Sequence, residues 1–350
     1  MRIGLAGYSG SGVTTLLALL SEDSGLAARH SGPEIRSITV DDSRFTRLVE
    51  FFNPKKITPL KVDVTELGDL RPDEGGGLRR ETLSRAAGLD AMVLILRGFS
   101  APMSPQCRQS GEISDELESL TQEFCIADLM PVENRLERLS KEGKLTSPEA
   151  RFLQQVKNGL EEGRPVRKMG FGEEELRGLS GYNMLTLAPL MVVTNLGSEC
   201  IGQIKYSELS DRCAEDGIAY METPALAELE TLEIPEEERQ PFLADIGITE
   251  PTRKRFIGDL FAQLRLFTFF TVGEKEVRAW TVPEGTIAVK AAGKIHSDIE
   301  RGFIRAEVIS VDECLELGGL NKAKDAGKLR VEGKEYLLKD GEIFHVRFNV

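Results

Sequence analysis

Nine residues near the start, Gly7-Tyr8-Ser9-Gly10-Ser11-Gly12-Val13-Thr14-Thr15, constrain the fold more than any other stretch of the chain. They follow an apolar run at 2–7 (RIGLAG) that reads as a short buried strand, and they lead into 14–20 (TTLLALL), which reads as a helix. Strand, glycine-rich turn and helix open a βαβ unit. The turn matches the phosphate-binding pattern G-x-x-x-x-G-K-[ST] at every position except the lysine, which is Val13. In such a loop the glycines let backbone N–H groups wrap phosphates, and the helix N-terminus adds partial positive charge. The lysine meets the β- and γ-phosphate oxygens and the following hydroxyl binds Mg²⁺. Here the wrap (Gly10, Ser11, Gly12) and the hydroxyl (Thr14, followed by Thr15) remain, and the lysine does not. One charge-assisted hydrogen bond is worth about 1.5–3 kcal/mol, so its loss predicts roughly ten- to hundredfold weaker nucleotide binding. The competing reading keeps the glycines only for tight strand-to-helix packing.

Further apolar runs at 60–64, 91–97 and 190–195, with a shorter one from Ile218 to Met221, alternate with helical segments. That rhythm predicts a doubly wound α/β sheet. The stretch 112–182 breaks it. Leu129, Val132, Leu136 and Leu139 line one helix face, and Leu153, Val156 and Leu160 repeat the spacing after Gly143–Pro148. Two antiparallel helices forming an inserted coiled-coil hairpin are expected, with Pro131 offsetting the first or starting a new one. After Phe267 short alternating strands appear at 267–271, 276–281, 303–309, 328–331 and 343–348, with helical pieces at 287–293 and 311–326. The expected division is therefore 1–266, interrupted by 112–182, and an α+β domain at 267–350.

A chain of 350 residues has room for two or three domains. Its net charge of −13 argues against general nucleic-acid binding and against DNA as a partner; RNA contact would need a local basic patch. The segment 267–350 carries only −1 of that charge. Within it Lys322, Lys324, Lys328, Arg330, Lys334 and Lys339 crowd together, a candidate surface for a phosphate backbone. The five cysteines (Cys107, Cys125, Cys200, Cys213, Cys314) form no C-x-x-C pair and are odd in number, which predicts reduced thiols and no zinc site. There is no signal-peptide pattern and no apolar run of about 18 residues, so a cytoplasmic protein with no membrane span is expected. Trp280 reads as core, and no nucleophile–base pair or metal-ligand cluster stands out.

Several long motifs resemble the YchF family. They are 269–281 (FFTVGEKEVRAWT), 291–310 (AAGKIHSDIERGFIRAEVIS), 326–343 (AGKLRVEGKEYLLKDGEI) and 344–350 (FHVRFNV). Weaker similarity runs through 44–59, 127–141, 160–167 and 242–248, and so over nearly the whole chain. The resemblance implies an Obg-related P-loop NTPase domain with a coiled-coil insertion and a C-terminal β-grasp (TGS) domain. It also implies ATP or GTP with Mg²⁺ as cofactors and the ribosome as partner.

Carried onto this chain, the family's nucleotide motifs are altered. The lysine falls on Val13, and the switch I threonine falls near His30. The D-x-x-G motif falls on Glu66-Leu67-Gly68-Asp69, which makes Glu66 the Mg²⁺-side acid with Thr14 and puts an aspartate where the γ-phosphate glycine belongs. The base-reading N-x-x-E motif keeps Asn195 but has Ser198 as its last residue, with Glu199 next. Three functions remain open from the residues: a ribosome- or RNA-associated nucleotide-binding protein with hydrolysis weak or lost, a slow ATPase or GTPase, and a scaffold that binds a protein through the coiled coil. For the second, Arg79 and Arg80, after the glycines 75–77, are the candidate replacement for the missing charge.

Overall fold

The computed structural model describes residues 1–26, 32–71, 77–100, 107–203 and 206–349, with the backbone alone at Glu236. The chain divides into two units, Met1–Ile38 with Asp63–Asp259, and Thr39–Val62 with Leu260–Val350. In chain order the first elements are β1 (Arg2–Gly7), α1 (Val13–Ser21), β2 (Ile35–Thr39), α2 (Ser43–Phe52), β3 (Lys56–Thr58), β4 (Lys61–Asp69), α3 (Arg80–Ala86) and β5 (Ala91–Arg97). They are followed by α4 (Ser110–Lys141), α5 (Pro148–Glu161), β6 (Leu190–Asn195) and β7 (Ala219–Thr223).

The first unit is built on a six-stranded sheet in the order β2-β4-β1-β5-β6-β7. The pairings β1–β4, β1–β5, β5–β6 and β6–β7 are parallel, as the doubly wound expectation requires. The central strands are apolar along their whole length because both faces are covered: Ala91–Leu96 and Leu190–Val193 are all buried. In α1, Leu16, Leu17, Ala18, Leu19 and Leu20 are buried, so the helix is enclosed and the phosphate-loop residues at its head are held by a fixed support.

The helical insertion forms as expected, with one difference. α4 runs unbroken for 32 residues through Pro131, which neither ends it nor starts a second helix. Its first half (Ile113, Leu117, Leu120, Phe124) joins the core on the sheet, and its second half (Val132, Leu136, Leu139) packs with Leu153, Val156 and Leu160 of α5. Anchoring at both ends outweighs the one backbone bond that the proline removes. The turn between the helices holds Gly143 at φ +69° and ends on Ser147, whose Oγ accepts from Ala150 N–H as the cap of α5. Among the described residues no helix is long and apolar enough to cross a membrane.

The second unit adds β8 (Leu266–Thr271), β9 (Glu276–Pro283), β10 (Phe303–Ser310), β11 (Arg330–Glu332) and β12 (Glu342–Phe348) in a sheet ordered β11-β10-β12-β8-β9-β3. Both faces of this sheet are apolar. Phe269, Trp280, Val308 and Phe344 belong to one core, and their chain neighbours Phe270, Ala279, Ile309 and Ile343 to another. The second face is covered by α2, through Phe45 and Leu48, and β3 pairs in parallel with β9. Residues 39–62, expected within the first domain, therefore belong to the C-terminal unit. The reason is that consecutive large apolar residues in β8 and β12 demand cover on both sides. The helix expected over 311–326 is two, Val311–Glu316 and Leu320–Asp325, divided where Gly318 and Gly319 take φ of +80° and +107°. Likewise 287–293 is Ala288–Ile295 followed by Ser297–Arg301.

Candidate nucleotide site

β1 ends on Gly7, where a Cβ would stand 2.6 Å from the carbonyl oxygen of Ile95 and 2.4 Å from Ser11 Oγ. Only glycine fits a turn pressed this closely against β5. Ser11 N–H donates to the Tyr8 carbonyl at 3.0 Å, Gly12 takes φ +96° as the residue before α1, and Leu16 N–H closes the first helical bond to its carbonyl. The first N–H groups of α1 have no preceding turn of helix to bond to, and no side chain caps them. Val13, at the charge-bearing position of the pattern, brings no charge to the turn.

The loop opens on a cavity of about 610 Å³ whose wall includes Gly10, Gly12, Val13, Thr14 and Thr15. Glu66 and Asp69 of β4 stand in the same wall, as do Arg79 and Arg85 from α3 and the residue before it. The register of β1 on β4 explains the acids. Leu5 lies beside Glu66, and after an irregularity Gly7 lies beside Asp69. Glu66 is buried, and its carboxylate accepts from Glu34 N–H at 3.2 Å. Thr14 and Glu66, both in the cavity wall, carry oxygen donors only, the chemistry that suits Mg²⁺, an ion that takes one or two protein ligands and leaves the rest to phosphates and water. Among the described residues no group of three or more His, Cys, Asp or Glu is placed to hold a metal ion.

Asp69 is engaged with the loop itself. Its Oδ1 accepts from Ser9 N–H at 3.2 Å and from Arg71 N–H at 3.2 Å, and its Oδ2 accepts from Arg71 Nε at 2.7 Å. Burial pushes the Asp69 carboxyl up, but the hydrogen bonds from Arg71 and Ser9 outweigh it and hold the group below the usual carboxylate range.

Asn195 is buried at the end of β6. Its Nδ2 donates to the Ser11 carbonyl at 2.9 Å, and its Oδ1 accepts from Ala225 N–H at 3.2 Å. The side chain therefore braces the glycine-rich turn against the first residue of the helix that follows β7, Ala225–Glu230. Ser198 and Glu199 are exposed, and Glu199 folds back so that its Oε1 lies 2.2 Å from where a Cβ on Gly197 would be.

Of the two arginines singled out in the sequence, Arg79 lines the cavity, whereas Arg80, at the start of α3, is exposed and does not. Two others come near the loop unannounced. Arg85 reaches the cavity from the last turn of α3, with its Nη1 3.5 Å from the Leu67 carbonyl. Arg97 ends β5 with its Nη1 3.8 Å from the Cβ position of Gly10. A basic residue closing a buried strand beside β1 is the signal that would have found Arg97. His30, Gly75 and Gly76 lie outside the described residues.

The thiols correct one expectation. Cys107 and Cys200 are joined in a disulfide, while Cys125, Cys213 and Cys314 are free and buried. The two partners are 93 residues apart in sequence. Each nevertheless follows the end of a strand, β5 or β6, and those strands are neighbours, so the sheet brings the loops together.

In the C-terminal unit Lys322, Lys324, Lys328, Lys334 and Lys339 are exposed. Lys328 Nζ lies 4.0 Å from Glu313. Arg330 is committed elsewhere: with Tyr336 Oη and Lys339 N–H it donates to the buried Glu342 carboxylate, and its guanidinium lies 5.7 Å from the Tyr336 ring centre. It holds the unit together and is not a free cation of the basic stretch.

The family model described as YchF-GTPase_C, protein of unknown function (DUF933), matches residues 266–349. Over its full length the chain is 34% identical to "Ribosome-binding ATPase YchF" of Haemophilus ducreyi, covering 99% of that protein. It is 33% identical to the protein of the same description from Bacillus subtilis, covering all of it, and 32% identical to "Obg-like ATPase 1" of Caenorhabditis elegans, covering 92%. The solved YchF GTPase of Schizosaccharomyces pombe superposes with a TM-score of 0.82 at 26% identity, over 99% of this chain and 97% of that one. With a phosphate loop heading a doubly wound sheet, a helical hairpin inserted before β6 and full-length identity of this degree, the chain belongs to the YchF family.

Proposed function

We propose that this chain binds nucleoside phosphates with Mg²⁺ in the cavity at the head of α1, works at the ribosome in the cytoplasm, and hydrolyses nucleotide weakly or not at all. The observation that carries this reading is the combination at one place of a glycine-rich turn heading an uncapped helix and a valine at the charge-bearing position. Gly12 takes φ +96° ahead of a helix with no side-chain cap, while Val13 supplies neither the hydrogen bonds nor the charge that phosphoryl transfer draws on. Gly10, Ser11, Gly12, Val13, Thr14 and Thr15 are assigned to the phosphates, Thr14 and Glu66 to Mg²⁺, and Asn195 to holding the loop on the base side. The names of the relatives, ribosome-binding ATPases, support the partner. Lys322, Lys324, Lys328, Lys334 and Lys339 are assigned to the RNA backbone.

The test has two arms. Calorimetric titration with ADP, GDP, ATP and GTP in the presence of Mg²⁺ is expected to give binding at least roughly tenfold weaker than that of the Val13→Lys variant, with phosphate release from ATP or GTP at background. Turnover above background that Thr14→Ala abolishes would overturn the loss of hydrolysis. In co-sedimentation with ribosomes, charge reversal at Lys322, Lys324 and Lys328 is expected to weaken association and flatten its salt dependence. Unchanged sedimentation would favour the helical hairpin, where Ile126 and Met130 of α4 are exposed, as a surface for a protein partner. The slow-hydrolase alternative has Arg79, Arg85 and Arg97 in its favour, since guanidinium groups bind phosphate well.

A further inference from the structure

The contact between Asp69 and the phosphate loop bears on which nucleotide the site takes. Ser9 N–H lies early in the loop, and its hydrogen-bond acceptor is a carboxylate oxygen, not a carbonyl. The carboxylate is anionic, and it has its own counter-charge, Arg71, which reaches its second oxygen through Nε. One anionic group with a matched cation thus already occupies the outer end of the loop. The inner end is different. There the N–H groups of Gly12, Val13 and Thr14 head α1. Arg79 and Arg85 stand in the same cavity wall, Arg85 on the β4 side with its Nη1 3.5 Å from the Leu67 carbonyl.

We propose that the Asp69 carboxylate stands in for the terminal phosphate of a nucleoside triphosphate, so that this cavity selects nucleoside diphosphates and excludes triphosphates. The inference rests on the nucleotide-binding reading above and adds its ligand class. A phosphate oxygen directed at Ser9 N–H must displace the carboxylate or lie against it, and like charges at contact repel. A diphosphate needs only the inner donors and leaves the Asp69–Ser9–Arg71 contacts in place. The low ionisation range of Asp69 agrees, because the carboxylate remains charged at neutral pH. Asp69 is a specificity-determining residue here and takes part in no chemical step.

Calorimetric titration of the full chain with ADP, GDP, ATP and GTP, each with Mg²⁺, tests this through a ratio that general damage to the fold does not move. The unaltered protein is expected to bind the diphosphate at least tenfold more tightly than the corresponding triphosphate. In Asp69→Gly the triphosphate is expected to gain at least tenfold, with the diphosphate within about threefold, the change carried by removal of one like charge. Asp69→Asn, which keeps the shape and removes the charge, is expected to shift the ratio in the same direction and decides the matter should the glycine variant not fold. A triphosphate that binds the unaltered protein as tightly as the diphosphate, or a ratio that neither variant moves, overturns this inference and leaves nucleotide binding standing. No binding of any of the four nucleotides overturns both.

Discussion

At the scale of single residues, two substitutions in the phosphate site were legible in the sequence, because a motif assigns a chemical task to each position. Val13 was one and Asp69 the other. What the motif did not convey is where the aspartate points. Its hydrogen bond to Ser9 depends on the strand register that sets Gly7 beside Asp69. Arg85 and Arg97 were not found, for they belong to no motif and approach the loop only through tertiary placement. The cysteines show the same limit: an odd count with no close pair said nothing of two strand ends that the sheet sets side by side. The three free thiols, Cys125, Cys213 and Cys314, are pushed up to about 11 by burial. A thiol raised from its ordinary value of 9.0 contributes stability that is complete below pH 9 and lost as pH rises through about 11. At pH 8 about one such thiol in a thousand is ionised. Iodoacetamide is therefore expected to label none of the three in the native protein at pH 8 and all three in urea, while Cys107 and Cys200 stay unlabelled until reduced. Mass spectrometry of the peptides reads the result, and rapid native labelling of any of the three would show that it is not enclosed.

At the scale of elements, the long buried runs were the most readable feature. β1, β5 and β6 appear where uninterrupted apolar residues called for them, and the leucine spacing placed both helices of the hairpin. Among the elements missed were β2 and β3, short strands in which only Ile38 is buried and the rest are half-exposed or exposed, so that they carry little apolar signature. Pro131 was misread for a physical reason. Local propensity charges a proline inside a helix about 3 kcal/mol relative to alanine, but α4 is fixed at both ends by separate cores, and a local rule cannot weigh that. Pro131→Ala restores a donor toward the Ala127 carbonyl and removes a ring that crowds it, at the loss of some half-buried surface. It is expected to stabilise the protein by about 1–3 kcal/mol, read as a higher denaturation midpoint with unchanged slope. A loss of stability would mean that the ring's packing matters more to α4 than the backbone bond.

At the scale of the whole chain, the sequence disclosed two kinds of texture, doubly wound and then α+β, and the change near Phe267 lies within a few residues of where the second unit resumes at Leu260. It did not disclose that the second unit begins much earlier, with residues 39–62. The clue was present in the consecutive phenylalanines 269 and 270. In a strand they must face opposite ways, so the sheet has two apolar faces, and the helices at 288–301 belong to the core of only one of them. α2 helps to close the other: Phe45 and Leu48 are buried there with Phe270, Val277, Ile309 and Ile343. Its attachment is reinforced by ion pairs, Arg44 with Asp340 at 2.7 Å and Arg47 with Asp312 at 2.6 Å, the second exposed enough to add little. The stabilisation should thus come from the apolar contacts. Phe45→Ala is expected to cost about 3–5 kcal/mol and Leu48→Ala about 2–5 kcal/mol, whereas Arg47→Ala should cost at most about 1 kcal/mol. Hydrogen exchange resolved by segment separates this from other accounts. In the two apolar variants protection should fall together across β8, β9, β10 and β12, far along the chain from the substitution. If exchange instead quickens only within 39–62, the segment is an appendage, and the second unit's core closes without it.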